Sequence, residues 1–179
     1  MMESNFADLI RAMRKRPLWT PAATTVATVH DRAKIEHLLP HRGDALMLDA
    51  ITSIDLPQRS MRATRHLRED DPGFAGHFSG EPVYPAFLQM EIAGQAGIAL
   101  LDFVRRHSVE IPSDLRPRRV RPIKVHHGLL LAEIHPGDSL TGLAIVLVDD
   151  ELTSIFAAQL LRGEVICSTT IVEVCFLDD

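Results

Sequence analysis

The sequence predicts an α+β fold in which an antiparallel sheet wraps around one long central helix, and three observations predict it. From Pro85 to about Arg106 the chain has no breaker beyond the tolerated glycines Gly94 and Gly97, and it is apolar almost all round. That is the pattern of a buried helix of about 33 Å. Four β-type stretches follow, Val125–Ile134, Ser139–Val148, Leu152–Leu161 and Val165–Phe176, with turn signals at Pro136-Gly137-Asp138, Asp149-Asp150 and Arg162-Gly163-Glu164. Two more, Ala45–Leu56 and Gln58–Leu67, precede the helix and are parted at Pro57. One buried helix set against consecutive strands gives the sheet a single apolar partner to curl around.

The 179 residues fit one domain, and with 46% apolar residues the chain can build a core without disulfides or a metal. Residues 1–30 are expected to form an N-terminal extension and residues 31–179 the single domain. In the extension, Phe6 to Arg14 has helical spacing and is followed by the basic run Arg14-Lys15-Arg16 and the breakers Pro17 and Pro21. Its readings are an amphipathic helix packed on the body or a partner-docking segment. Asp31 is placed to cap a short helix, Arg32–Leu39, that Pro40 stops.

A formal charge of -5 argues against a dedicated nucleic-acid binder. Cys167 and Cys175 lie on one predicted strand, about 26 Å apart, beyond disulfide reach and suited to a reducing compartment. With Glu3 and Asp8 near the start there is no signal-peptide pattern, and Gln89, Glu91, Gln95 and Asp102 make the Pro85–Val104 segment too polar for lipid. The expectation is a cytoplasmic protein with no membrane span and no cofactor or metal. The His126-His127 pair is not spaced for ligation and is read as structural.

Two features point to chemistry. Glu91 sits among Met90, Ile92 and Ala93, where burial would raise its pKa and make it a general acid near neutral pH. Gln95, one turn later on the same face, is placed to hold it. The alternative is a polar strip in which Glu91, Gln95 and Asp102 face water. The second feature is His77 in the loop Gly76–Pro85, where two glycines and two prolines bracket it and lead straight into the helix start. A structural loop histidine is the competing reading.

The stretch GHFSGEPVYPAFLQMEIAGQ, residues 76–95, resembles the active-site segment of the FabZ/FabA family of 3-hydroxyacyl-[acyl-carrier-protein] dehydratases, whose loop GHFPGxPxxPG precedes a helix with an acidic residue fourteen positions after the histidine. Leu39-Pro40-His41-Arg42 is similar to the family's LPHR segment, Leu46-Met47-Leu48-Asp49 to its next strand, and His135-Pro136-Gly137-Asp138 to its PGD turn. A glutamate at the acidic position is similar to the FabZ branch. Two departures stand out: Ser79 replaces the loop proline, and Ala86 replaces the glycine at the helix start.

The resemblance implies a hotdog fold and dehydration of a 3-hydroxyacyl thioester, in fatty-acid or polyketide/polyene biosynthesis. It implies His77 as base at C2 and Glu91 as acid at C3, with the Ala86 N–H polarising the thioester carbonyl. Gly76, Phe78, Phe87 and Gln95 would complete the substrate site. Phe87, Leu88 and Met90 are read either as tunnel lining or as plain core. In the family each site draws its histidine and its acid from different protomers, so a homodimer or higher assembly is expected. Arg116, Arg118, Arg119, Arg121 and Lys124 form a basic run read either as a docking site for an acidic acyl carrier protein or as a solvated loop. Thioester hydrolysis is a lower-ranked activity. The non-enzymatic alternative is a dehydratase-like subunit that scaffolds a catalytic hotdog partner.

Overall fold

The computed structural model describes residues 6–78 and 80–177, so Glu3 and Ser79 lie outside the described residues. Seven strands form one antiparallel sheet: β1 (Val26–Asp31), β2 (Ala50–Asp55), β3 (Ser60–His66), β4 (Val120–Leu130), β5 (Ser139–Asp149), β6 (Thr153–Arg162) and β7 (Val165–Phe176). Their order across the sheet is β1-β2-β3-β5-β6-β7-β4. Two short helices, α1 (Ala7–Met13) and α2 (Arg32–Ile35), precede the long α3 (Ala86–Arg106). This is the hotdog arrangement, a sheet curled around a central helix.

α3 forms because 21 residues carry no internal proline, and it stops where His107 takes a left-handed conformation (φ 50°) and its N–H closes on the Phe103 and Val104 carbonyls. Ile92, Ala93, Ala96, Ala99, Leu100, Leu101 and Phe103 are buried against the sheet. α3 is long and apolar enough to cross a membrane, but 67% of that stretch is buried inside the protein, as in a core helix. Gly97 is where helix and sheet come closest: a Cβ there would lie 2.1 Å from the Phe156 ring of β6.

The strands differ from the sequence reading in three places. The strand expected from Ala45 begins at Ala50, because Gly43–Ala45 is a 3-10 turn and the Met47 N–H bonds the Gln95 side chain instead of a neighbouring strand. Residues 26–30, read within the extension, belong to β1, which pairs antiparallel with β2. β4 spans Val120–Leu130 in place of the expected Val125–Ile134, so Arg121 and Lys124 of the basic run stand on a strand and not in a loop. β4 pairs only with β7 and is an edge, where Pro122 is tolerated because no ladder needs its missing N–H. Asp31 accepts from Lys34 N as the cap of α2. α2 itself ends at Ile35, short of the expected Leu39.

α1 covers the outer sheet face, with Phe6 and Met13 packed on Ile155, Ala157 and Ile171. Buried Gln159 fastens the chain that follows: its Oε1 accepts from Leu18 N (2.8 Å) and its Nε2 donates to the Met13 (2.6 Å) and Arg16 (3.1 Å) carbonyls.

The Gly97–Phe156 contact yields a stability prediction. Gly97→Ala should destabilise the protein by about 1–3 kcal/mol despite alanine's better helix propensity, because a rigid ring must move. A thermal melt checks it, and an unchanged or raised Tm would contradict the close approach.

Candidate active site

The loop that carries His77 is held at several points. Positive φ at Gly76 (77°) and Gly80 (86°) turns the chain in a way that L side chains resist. The Tyr84 N–H donates to the Ile134 carbonyl (2.7 Å), and Val83 N–H donates to the His77 carbonyl (3.0 Å). His135 Nδ1 lies 3.1 Å from the Pro82 carbonyl, so the turn after Ile134 braces the loop. Gly73 closes in beneath it, near the Tyr84 and Leu88 side chains.

These contacts set the imidazole. His77 Nδ1 is 2.8 Å from the Val83 carbonyl, and a carbonyl only accepts, so Nδ1 carries the proton. In the neutral ring Nε2 is then a bare acceptor, the state a base requires. The Phe78 ring stacks on the imidazole at 4.2 Å between centroids, and Phe78 is itself 62% exposed. Straight after the loop, Pro85 caps α3, and the N–H groups of Ala86 and Phe87 have no acceptor within the helix. They sit at the positive end of a 21-residue helix.

Glu91 occupies a different setting from the one expected. Its side chain is 45% exposed, and its Oε1 receives two contacts, Gln95 Nε2 at 2.8 Å and His41 Nε2 at 3.3 Å. The His41 hydrogen bond holds its pKa below the usual carboxyl value; burial opposes this, while the Gln95 hydrogen bond and the charge on His41 add to the lowering. The expectation of a raised pKa and a standing protonated acid is therefore corrected: a histidine partner outweighs partial burial. Gln95 is fully engaged, its Oε1 accepting from Met47 N (2.8 Å) and its Nε2 also reaching the Ala45 carbonyl (2.7 Å).

Glu91 lines a cavity of about 240 Å³ together with His41, Gly94, Ile98, Arg118, Phe156 and Val172. Among the described residues no hydrogen bond or ion pair joins His77 to Glu91; each keeps its own partners. The basic run Arg116, Arg118, Arg119, Arg121 and Lys124 is exposed, and within it Arg118 also lies on this cavity with its Nε 3.9 Å from Asp102. Phe87 is 70% exposed, and Leu88 and Met90 are partly buried. His126 bonds Glu173 (2.7 Å) and His127 bonds Thr169 (3.0 Å). Among the described residues no group of three or more His, Cys, Asp or Glu side chains is arranged to hold a metal. A wider depression, between the N-terminal segment and Ile145, is remote from this chemistry in its lining.

His41 and His135 were legible only as letters of two resembling segments. The signal for His41 was an imidazole directly before Arg42, in a segment that must pass α3.

The chain is similar to known proteins. The FabA-like domain family matches residues 39–141, and the chain belongs to it. The 3-hydroxyacyl-[acyl-carrier-protein] dehydratase FabZ of Chlamydia trachomatis is 36% identical over 111 residues, covering 60% of this chain and 66% of that protein, just under two thirds of its length. The FabZ of Campylobacter curvus is 31% identical over 110 residues, covering 62% of this chain and 72% of that protein. Among solved structures, the dehydratase heterocomplex ApeI:P from Xenorhabdus doucetiae superposes with a TM-score of 0.62 at 12% identity, over 81% of this chain and 91% of that one.

The Glu91 contacts predict a pH effect on stability. A carboxyl whose folded value is depressed contributes fully above its ordinary value of 4.5 and loses that contribution as pH falls through the folded value. Glu91→Gln should therefore lose less Tm than the wild type on acidification below pH 4.5. Equal losses would contradict the His41–Glu91 pairing.

Proposed function

We propose that this member of the FabA-like family dehydrates a 3-hydroxyacyl thioester, carried on an acyl carrier protein, to the trans-2-enoyl thioester. The observation that carries the reading is the 2.8 Å contact between His77 Nδ1 and the Val83 carbonyl, which leaves Nε2 free to take a proton. Nε2 removes the C2 proton. The first-turn N–H of Ala86 steadies the enolate-like oxygen of the thioester; the alanine in place of glycine keeps that donor and adds only a methyl group. Glu91, in its protonated fraction, gives the departing C3 hydroxyl a proton from Oε2, since Oε1 is already taken by Gln95 and His41, and the hydroxyl leaves as water. Gly76 shapes the loop, Phe78 flanks the imidazole and Phe87 meets the acyl arm. The 240 Å³ cavity takes the acyl chain. The reading places the protein in the cytosol, in fatty-acid or polyketide/polyene biosynthesis, with residues 31–179 as the working domain.

The imidazole and the carboxylate would meet across a dimer. β4 is an open edge with Ile123 and Val125 about half exposed, and pairing it with a second copy supplies the missing ladder and buries them. His77 of one protomer then faces the partner's Glu91. A second reading pairs the chain with a different hotdog subunit, as the ApeI:P neighbour is named a heterocomplex.

His77→Ala and Glu91→Gln should each lower kcat/KM on 3-hydroxyacyl thioesters by about 10²–10⁴-fold. Mixing the two inactive variants under subunit exchange should restore about a quarter of wild-type activity, since half the dimers then hold one intact site. No recovery would reject the shared site, and full activity in either single variant would reject the chemistry.

Charge supports the carrier. Arg116, Arg119, Arg121 and Lys124 are exposed on an otherwise acidic chain. Arg116→Glu with Arg119→Glu should raise KM for a carrier-linked substrate while sparing a short thioester surrogate. An equal rise on both substrates would reject docking there.

A further inference from the structure

We propose that Gly94 sets the bore of the acyl site, and that the substrate is a 3-hydroxyacyl thioester whose chain runs on past C3 along α3, over Gly94 toward Ile98. This rests on the dehydratase reading and adds to it the class of acyl chain that the site takes. The observation behind it is a helix glycine for which the fold of this chain has no use.

Glycine inside a helix loses more backbone entropy than any other residue, so its presence there calls for a reason. A left-handed backbone is one such reason. Gly94 lies in the interior of α3 and is not among the glycines with positive φ. A close neighbour is another, and it accounts for Gly97, where the Phe156 ring would lie 2.1 Å from an added Cβ. At Gly94 an added Cβ would meet, among the described residues, nothing within 4 Å. The remaining reason is room for something that is not part of the chain.

That room is the cavity beside the candidate acid. Glu91, Gly94 and Ile98 follow one another along one face of α3, and all three line the same space of about 240 Å³. The sheet contributes Phe156 of β6 with Val172 and Val174 of β7, all apolar. Of the other ionisable groups on the cavity, His41 is bonded to Glu91, and Arg118 Nε lies 3.9 Å from Asp102. Apolar walls beside a carboxyl group suit a hydrocarbon chain that begins at a hydroxyl-bearing carbon.

Helix geometry gives the scale. Along the axis Gly94 lies about 4.5 Å and Ile98 about 10.5 Å beyond Glu91. A zigzag of ~1.5 Å carbon–carbon bonds advances about 1.3 Å per bond, so about eight bonds beyond C3 reach the level of Ile98. A 3-hydroxybutyryl group therefore ends short of Gly94, whereas a 3-hydroxydecanoyl group passes it. A side chain at this position would stand in the path of the second and not of the first. The chain that follows C3 starts at Glu91, one helical turn from Gly94, so the substrate is the occupant that the site itself supplies.

The test measures kcat/KM of the full chain on 3-hydroxybutyryl and 3-hydroxydecanoyl thioesters of one acyl carrier protein. The wild type is compared with Gly94→Leu, and with Gly94→Ala should the larger residue fold poorly. Gly94→Leu should lower the decanoyl-to-butyryl ratio of kcat/KM by about 10²-fold and Gly94→Ala by about 10-fold, the discrimination that extra carbons in an apolar site bring. The Tm of Gly94→Ala should rise, because the helix improves and no contact is strained. A lower Tm would mean that the room is already filled, and would overturn the inference. An unchanged ratio in an active, folded variant would overturn the role of Gly94 and leave the dehydratase reading in place. So would a loss accompanied by dissociation in light scattering, which would assign the glycine to a contact between subunits. A folded wild type that turns over neither thioester would overturn the dehydratase reading, and this inference with it.

Discussion

Gln95 is a polar side chain that a buried helix face can hold only if its atoms find partners. Its oxygen takes the Met47 N–H, and its nitrogen serves both the Ala45 carbonyl and Glu91. That single carboxamide ties the segment before β2 to α3 and fixes which way the carboxylate points. Because the segment is tied there, His41 arrives within reach of Oε1 from the other side. Removing the carboxamide leaves the half-buried Met47 N–H without its partner, at a cost of about 1 kcal/mol. The charge state of Glu91 is thus a consequence of packing around Gln95.

The other half of the chemistry is positioned by backbone. Ile134 and His135 brace the loop before α3 through Tyr84 and Pro82, and within that loop Val83 clasps His77. The two halves share α3, whose first turn also offers the free N–H groups. A helix buried along most of its length cannot shift to bring them together. In the proposed dimer their meeting comes from a second subunit, accepted at the open edge of β4.

The fold was largely legible because its signals are local and periodic. Six of the seven strands and the central helix follow from runs of apolar residues between Gly, Pro and Asp turns. β1 was missed because Val26–Asp31 is mostly exposed and carries no such run; an edge strand is recruited by its neighbour. β4 was begun late because Arg121, Pro122 and Lys124 look like loop residues, yet an edge strand tolerates all three. Of the site, Glu91 with Gln95 four residues on was legible from helix geometry. The protonation state of Glu91 was not, since it depends on His41, fifty residues upstream and brought close only by the tertiary structure. The proton position on His77 was likewise hidden, being set by a carbonyl six residues away in a glycine-shaped loop.

The account depends on an imidazole and a carboxylate from different protomers closing on one thioester. A crystal structure of the assembled protein with a non-hydrolysable 3-hydroxyacyl thioester analogue tests this most directly. His77 Nε2 of one protomer should lie within about 3–4 Å of the analogue's C2, with the hydroxyl in hydrogen-bond reach of Glu91 Oε2 of the other. An analogue seated away from both side chains, or held by both from a single chain, would contradict it.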